Sequence, residues 1–152
     1  KNVRNAMLFN VLSFMSDKLL TVGNTVAALD ELYIWLSNPT AIEYIRNCLK
    51  RVRKKESALF LASQNLEDFI QPGIRELTRP LFSIPVHQFI FNGGNVDKKF
   101  FMDNLQLEAS EYALIRDPQR GSCLYKCGNE RYLLQVQAPE YKQTIFGTAG
   151  GR

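Results

Sequence analysis

The chain has 152 residues, a length that accommodates one domain with a hydrophobic core of its own. Its content of 45% hydrophobic and 22% charged residues is typical of a globular protein and argues against a disordered chain. A net charge of +4 permits contact with nucleic acid or an anionic surface without requiring it, and three cysteines are too few for a disulfide framework.

The first predicted strand ends in a pair of carboxylates. Residues 5–20 predict a helix that is apolar on most sides, and such helices are usually buried. Residues 25–29, Thr-Val-Ala-Ala-Leu, are too few for a helix and suit a buried parallel strand. Asp30 and Glu31 follow directly. Because ligands of open parallel sheets bind outside the carboxyl ends of the strands, this pair marks a candidate site.

A helix and a second strand follow, and this strand ends in an amide. Asn38 and Pro39 suit the N-cap and the first position of the helix. Residues 58–62 predict the strand, and Gln64 lies just beyond it. The sequence therefore places this amide and Glu31 at the same edge of the sheet. The outer face of the helix is basic, with Arg46, Lys50, Arg51, Arg53, Lys54 and Lys55.

The second half of the chain predicts shorter elements. In order, they are a helical stretch over 66–77, a third strand over 86–91, helices over 97–105 and 109–115, and a hairpin with arms 122–126 and 131–136. In this hairpin Lys126 would face Arg131, a pairing of like charges that is unfavourable. Either the strands pair in another register or an anion lies beside the two side chains. The alternation of strands and helices predicts an α/β fold with a mainly parallel sheet flanked by helices, and the hairpin as an antiparallel addition at its edge.

The order of these residues also predicts a chemistry. Asp30 would hold Mg²⁺ through water, Glu31 would polarise an attacking water, and Gln64 would sense a γ-phosphate or orient that water. The phosphate-binding loop G-x-x-x-x-G-K-S/T occurs nowhere in the sequence. The chain alone is therefore not expected to hydrolyse ATP.

Three stretches form an ordered set of motifs: 27–31 (AALDE), 52–64 (VRKKESALFLASQ) and 121–131 (GSCLYKCGNER). Together they resemble the C-terminal part of the motor domain of the VirB-type traffic ATPases of conjugative transfer and type IV secretion. These ATPases are RecA-like relatives of the FtsK and HerA DNA pumps. The family shows an acidic pair on its Walker B strand, an Arg-Lys ahead of a strand ending in Thr-Gln, and a G-x-x-L-x-x-x-G-x-x-R hairpin. The chain departs from the pattern at Ser63, which stands for the Thr, and in lacking the phosphate loop.

The resemblance implies a partial RecA-like P-loop NTPase fold and an ATP-hydrolysing motor that uses ATP and Mg²⁺. Residues 1–146 would be the C-terminal half of the ATPase domain without its Walker A part, and residues 147–152 a flexible tail. The intact protein would associate into a ring, hexameric in the family. It would work with other secretion or conjugation components, and with DNA as a further candidate partner. It would lie in the cytoplasm, peripheral to the inner face of the cell membrane.

The resemblance also assigns roles to individual residues. The catalytic candidates are Glu31, Arg53, Gln64 and Arg131. The candidates that contact the nucleotide are Asp30, on the side of the metal, and Ser63. An arginine that acts on a neighbouring subunit's nucleotide must be Arg rather than Lys, because only the guanidinium offers bidentate geometry. Arg53 is the member of the basic helix end that matches the family.

Simpler interpretations stand beside these. The acidic pair can be an ordinary strand end, Gln64 a helix cap, and the basic helix end a solvated surface or a contact for DNA phosphates. The chain would then be an α/β interaction module of a secretion or DNA-processing complex without nucleotide chemistry, or a nucleic-acid-binding protein without ATPase activity. His87 is expected to be structural. The following aromatic residues are expected in the core rather than on a base-stacking surface: Phe89, Phe91, Phe100, Phe101 and Tyr112.

Overall fold

The computed structural model describes residues 2–71, 73–94, 96–117 and 120–147. The predicted flexible tail lies outside these residues except for Gly147. The chain divides into two compact units, Lys1–Pro85 and Val86–Arg152. Within the described residues, no helix is both long enough and apolar enough to cross a membrane.

The first unit is built around two parallel strands joined by a crossover helix. Its elements are α1 (Asn2–Asp17) continued by a π-helical turn (Lys18–Val22), β1 (Val26–Leu29), α2 (Tyr33–Leu36), α3 (Pro39–Arg51) continued by a 3₁₀ turn (Val52–Lys55), β2 (Ala58–Leu61), a second 3₁₀ turn (Glu67–Phe69) and α4 (Arg75–Ser83). Strands β1 and β2 pair in parallel over their full length. The side chain of Asn38 caps α3 by accepting from the N–H of Thr40 at 3.0 Å. The predicted β-α-β order and its N-cap are confirmed.

The core of the first unit lies on one side of the β1–β2 sheet. Helix α1, its π-helical turn and α3 contribute completely buried side chains, namely Leu12, Leu19, Ile42 and Ile45. Partly buried strand residues pack against them: Ala27, Leu59 and Leu61. On the opposite side of the sheet, Val26 is 68% and Phe60 is 57% exposed. The sheet therefore has one covered face and one bare apolar face.

Helix α1 differs from its prediction. Leu12, Met15 and Leu19 are buried in the core, as expected. A second stripe at helical spacing faces solvent and consists of Val3, Met7, Val11 and Phe14. The prediction of a helix buried on most sides is wrong for this face, because only one side of α1 packs on the described part of its unit.

The second unit is an antiparallel sheet with short helices. Its elements are β3 (His87–Ile90), α5 (Lys98–Leu105), α6 (Ala109–Ile115), β4 (Ser122–Cys127), β5 (Glu130–Gln135) and α7 (Glu140–Phe146). The strand order is β3-β4-β5, and both pairings are antiparallel. The hairpin is confirmed, with Lys126 opposite Arg131 as predicted.

The sheets themselves are arranged differently from the sequence-based expectation. In the described residues β3 and the hairpin form a sheet separate from β1 and β2, so the hairpin is not an addition to the parallel sheet. The α/β class is confirmed, while parallel pairing is confined to β1 and β2. The pattern of apolar residues in a strand reports burial but not the direction of its neighbour, so it could not identify the partner of β3.

Candidate functional site

The chain segments that follow β1 and β2 remain hydrogen-bonded to each other at the carboxyl ends of the two strands. We call this end of the parallel sheet its carboxyl edge. The N–H of Ala62 donates to the carbonyl of Leu29 at 2.9 Å, and the N–H of Leu32 donates to the carbonyl of Ala62 at 3.0 Å. These two hydrogen bonds extend the pairing beyond both strands. As a consequence, the residues immediately following β1 and β2 are held at one edge.

Glu31 and Gln64 meet at this edge. The amide Nε2 of Gln64 donates to the carboxylate Oε1 of Glu31 at 2.8 Å. The predicted convergence of the two side chains is therefore confirmed. Asp30 lies beside them, and its Oδ1 accepts from the N–H of Glu31 at 2.8 Å. Ser63 is exposed in the segment that connects β2 to Gln64.

The backbone of Glu31 is left-handed, with φ of +50°. For a residue with a side chain this conformation costs on the order of 1–3 kcal/mol and persists where the surroundings impose it. Here the N–H group bonds to Asp30, and the next residue, Leu32, is 1% exposed and anchors the start of α2 in the core.

The side chains at this edge suit a magnesium–nucleotide complex. Carboxylate oxygens are the hard ligands that Mg²⁺ prefers, and in nucleotide sites the protein supplies only one or two of them while phosphates and water supply the rest. Over the described parts of the chain, no group of three or more His, Cys, Asp or Glu side chains that could hold a metal is found. Asp30 and Glu31 therefore suit a metal site in which phosphates and water supply most of the ligands.

Arg53 lies at the opposite edge of the same sheet. It is exposed in the 3₁₀ turn that precedes β2, and the carbonyl of Lys55 in that turn accepts from the N–H of Asn24, just before β1, at 2.8 Å. A strand of four residues separates the two edges by about 10 Å, since each residue rises about 3.3 Å. The structure therefore does not bring Arg53 together with Glu31 and Gln64 within one chain.

Arg131 belongs to the second unit, where its guanidinium has several partners. Nη1 donates to the carbonyls of Gly128 and Glu130, each at 2.9 Å. Nε lies 3.3 Å from the carboxylate of Glu111 on α6. These contacts tie the hairpin turn to a helix of the same unit.

The residues around Arg131 also explain how Lys126 and Arg131, two cations, can lie opposite each other in the hairpin. Lys126 is only 8% exposed, and its Nζ donates to the carbonyl of Leu105 at 2.8 Å. Burial lowers the pKa of Lys126, the neighbouring charge of Arg131 lowers it further, and the carboxylate of Glu111 acts in the opposite direction. The anion that the sequence required beside this pair is therefore Glu111.

A row of aromatic rings on the other face of this sheet was not anticipated. Phe89 and Phe91 are each 50% exposed, so their assignment to the core is wrong, whereas Phe101 is buried as predicted. Tyr125 stacks on Phe89 at a centroid distance of 4.7 Å and on Tyr132 at 6.1 Å. Side chains alternate between the two faces of each strand, and the register then places these rings on the same face of the sheet. This alternation is the sequence feature from which the row could have been predicted.

Comparisons with known proteins identify a relationship at the level of structure. No protein-family model matches the chain, and no curated protein sequence matches it. Among solved structures, the chain is similar to VirB4 of Thermoanaerobacter pseudethanolicus, with a TM-score of 0.82 and 29% sequence identity. The similarity covers 93% of this chain and 39% of that chain, so the chain spans well under half of the VirB4 polypeptide. The resemblance to a fragment of a VirB-type ATPase is thereby confirmed.

Proposed function

We propose that this chain is the C-terminal part of the ATPase domain of a VirB4-type motor and supplies the residues that act on the terminal phosphate of ATP. One observation carries the proposal: Gln64 Nε2 lies 2.8 Å from Glu31 Oε1 at the carboxyl edge of two parallel strands. Ligands of parallel sheets bind at this edge. The structural similarity to VirB4 supports the same conclusion independently.

Each side chain at the edge has a distinct task. Glu31 accepts a proton from the attacking water, and Gln64 directs that water or contacts the phosphate through its amide. Asp30 holds the metal side of the site, and Ser63 offers a hydroxyl beside the phosphate. Bound ATP with Mg²⁺ supplies the phosphoryl group and the counter-charge for it. The roles of these four residues are proposals that follow from their residue types and positions.

The remainder of the nucleotide site must come from other parts of the motor polypeptide. Parallel sheets are almost always covered on both faces, yet Val26 and Phe60 leave one face of the β1–β2 sheet bare. We infer that residues 1–146 belong to a larger RecA-like domain, and that its phosphate-binding half covers this face. That half would also supply the phosphate loop that the sequence lacks.

Of the two arginine candidates, Arg53 suits a role in a neighbouring subunit better than Arg131. The turn that carries Arg53 is exposed at the edge opposite the nucleotide residues and is tied to the start of β1. A side chain that cannot reach the nucleotide of its own chain is free to approach another in a ring, which we take to be hexameric. The guanidinium of Arg131 is already engaged by Glu111 and two carbonyls, a pattern that favours a structural role in the hairpin.

The motor would power type IV secretion or conjugative DNA transfer, together with other components of that machinery, from the cytoplasmic side of the cell membrane. The basic turn favours a second candidate function, contact with DNA. The cations of this turn and of the end of α3 are all exposed: Lys50, Arg51, Arg53, Lys54 and Lys55. Such a cluster neutralises phosphates, and the resulting binding weakens steeply as salt is added. Salt-dependent binding of duplex DNA by this chain alone would support that function.

The proposed activity is tested in a motor polypeptide that contains this chain and a phosphate loop. Glu31→Gln should lower ATP turnover by about 100-fold or more, because the amide cannot accept the proton of water. Glu56→Gln is the matched control, since Glu56 is also a glutamate with a left-handed backbone but lies at the opposite edge of the sheet. Turnover that survives Glu31→Gln would show that Glu31 is not the catalytic carboxylate.

A further inference from the structure

The hydrogen bond between Gln64 and Glu31 joins two side chains whose proposed tasks require them to face other partners. Glu31 must accept from water, and Gln64 must donate to a phosphate or direct that water. In the structure Oε1 of Glu31 instead accepts from Nε2 of Gln64 at 2.8 Å. One carboxylate oxygen of Glu31 and the amide of Gln64 are therefore engaged with each other in the structure.

The chemistry of the groups determines what can open this contact. A carboxylate and a phosphate only accept hydrogen bonds, whereas a glutamine amide donates. Phosphate oxygens therefore compete with Glu31 for the amide of Gln64, and they cannot bond to Glu31 in its place. Both acceptors carry negative charge, and the amide of Gln64 can exchange between them.

Breaking the Gln64–Glu31 hydrogen bond requires no movement of the backbone. The backbone around both residues is fixed by the hydrogen bonds of Ala62 with Leu29 and of Leu32 with Ala62. Leu29 and Leu32 are buried in the core, while Gln64 is exposed. A rotation of the Gln64 side chain, and of Glu31, is therefore enough to exchange the partners, without any rearrangement of the strands.

We propose that the Gln64–Glu31 hydrogen bond is a latch that keeps Glu31 from activating water until Gln64 can donate to the terminal phosphate of a nucleotide. The inference rests on the proposed function and adds a means of regulation to the same site. Glu31 is released when a triphosphate is bound. A diphosphate, which lacks the terminal group, leaves the latch closed.

The contact itself is tested in this chain alone, without any nucleotide. The side-chain amide protons of Gln64 are followed by ¹⁵N NMR in the wild type and in Glu31→Gln. Loss of the charged acceptor should move the Gln64 signals towards those of a solvated glutamine, while Asp30→Asn, at a residue that does not bond to Gln64, should leave them in place. Unchanged signals in Glu31→Gln would overturn the latch and leave the proposed ATPase activity standing.

The latch is tested further by a double-mutant cycle in the motor polypeptide. Glu31→Gln and Gln64→Ala are made singly and together, and the affinity for a non-hydrolysable ATP analogue with Mg²⁺ is measured, with MgADP as the control. Glu31→Gln removes charge repulsion and also weakens the latch in the presence of Gln64, because a neutral amide oxygen is a weaker acceptor than a carboxylate. In the absence of Gln64 it removes only the repulsion. If the latch exists, Glu31→Gln should increase the affinity for the triphosphate analogue about threefold more with Gln64 present than in the Gln64→Ala background. The increase in affinity for ADP should be the same in both backgrounds.

Three outcomes of this cycle contradict the inference, and they are distinguishable. Additive effects on triphosphate affinity would show that Gln64 does not compete with Glu31, which removes the latch while the proposed function remains. Absence of nucleotide binding in the wild-type motor polypeptide would overturn the proposed function, and the latch with it. Coupling of equal size for ATP and ADP would also exclude a device that responds to the terminal phosphate.

Discussion

Glu31 and Glu56 are two glutamates with nearly the same strained backbone, at opposite edges of one sheet. Their φ angles are +50° and +52°. Glu56 ends the basic turn that precedes β2, and Glu31 begins the turn that follows β1. Each conformation is imposed by neighbouring hydrogen bonds, of Ser57 with Val52 at one edge and of Glu31 with Asp30 at the other. A comparison of the two residues therefore separates the free-energy cost of the left-handed backbone conformation from the role of the glutamate side chain.

Replacement of either glutamate by Gly should stabilise the chain relative to replacement by Ala. Gly adopts positive φ without steric cost, whereas Ala keeps the strain, so the expected difference is about 1 kcal/mol at both positions. Chemical denaturation of Glu31→Gly, Glu31→Ala, Glu56→Gly and Glu56→Ala measures it. Because both variants of Glu31 lose the bond to Gln64, the comparison isolates the backbone. An Ala variant as stable as its Gly counterpart would contradict the strain.

Lys126 should make the stability of the chain depend on pH in the alkaline range. The pKa of Lys126 is lowered in the folded protein, chiefly by burial, so the unfolded chain binds more protons between that pKa and the ordinary value of 10.5. The free energy of unfolding must therefore rise with pH across this window, as the buried charge is lost. The tyrosines Tyr125 and Tyr132, whose pKa values are raised, act in the opposite sense.

A comparison with Lys126→Met removes the contribution of the tyrosines, because both proteins contain them. Urea denaturation at several pH values from 7 to 10.5 gives the difference in unfolding free energy between the wild type and the variant. This difference should shift in favour of the wild type as the pH approaches 10.5 and be constant near neutrality. A difference that falls with pH would mean that the charged form of Lys126 is stabilised in the fold.

At the scale of elements, two glycines of the hairpin have different tasks. Gly121 has φ of +79°, and a Cβ built there would lie 2.2 Å from the carbonyl oxygen of Val136. Gly128 has φ of +59°, and no atom lies within 4 Å of its Cβ position. The carbonyl of Gly121 also accepts from the N–H of Val136 at 2.8 Å. Gly121 thus permits the close approach of the two arms, whereas Gly128 only shapes the turn.

Gly121→Ala should destabilise the second unit far more than Gly128→Ala. The added methyl at Gly121 collides with backbone that cannot yield without breaking the bond to Val136, so a loss of about 3 kcal/mol or more is expected. At Gly128 only the left-handed strain is added, about 1 kcal/mol. Thermal unfolding followed by near-UV circular dichroism measures both. Equal losses would show that the close approach of Gly121 is not maintained in solution.

Local patterns allowed a good part of the elements to be predicted, and the errors have local causes as well. Asn38 and Pro39 determine where α3 begins, because cap and backbone geometry act within one turn. Helix α4 continues through Pro80 to Ser83, although a proline in a helix interior normally ends it, because Thr78 and Leu81 are buried in packing that the sequence pattern does not show. Helix α2 has only four residues, too few to show a periodic signal, and neither α2 nor α7 was predicted.

The candidate site was predictable where it depends on the topology of strands alone. Two carboxyl ends of parallel strands must share an edge, so the meeting of Glu31 and Gln64 followed from sequence order. The direct hydrogen bond and the left-handed backbone of Glu31 did not, because they depend on side-chain and backbone torsions. The engagement of Arg131 by Glu111 also escaped prediction, since it joins a strand and a helix that are distant in sequence.

At the scale of the whole molecule, each unit exposes large apolar side chains among the described residues. In the first unit these include Phe14 on α1 and Phe60 on β2, and in the second they include Phe89 and Phe91. Exposed apolar patches of this kind mark interaction surfaces in soluble proteins. In a chain that matches 39% of a VirB4 polypeptide, contact with the remaining parts of such a polypeptide is the proposed explanation for the bare face of the parallel sheet.

Phe60 makes this explanation testable, because its environment should differ between the chain alone and the larger motor polypeptide. In the chain alone Phe60 is 57% exposed, so Phe60→Ser should change the free energy of unfolding by only about 0.5 kcal/mol. If the phosphate-binding half of the domain covers the sheet, the same substitution in the motor polypeptide should cost about 2–3 kcal/mol of lost apolar burial. Phe60→Leu retains an apolar side chain and serves as the control in both. A small effect in both proteins would mean that this face stays bare, and that the chain is not part of a sheet covered on both sides.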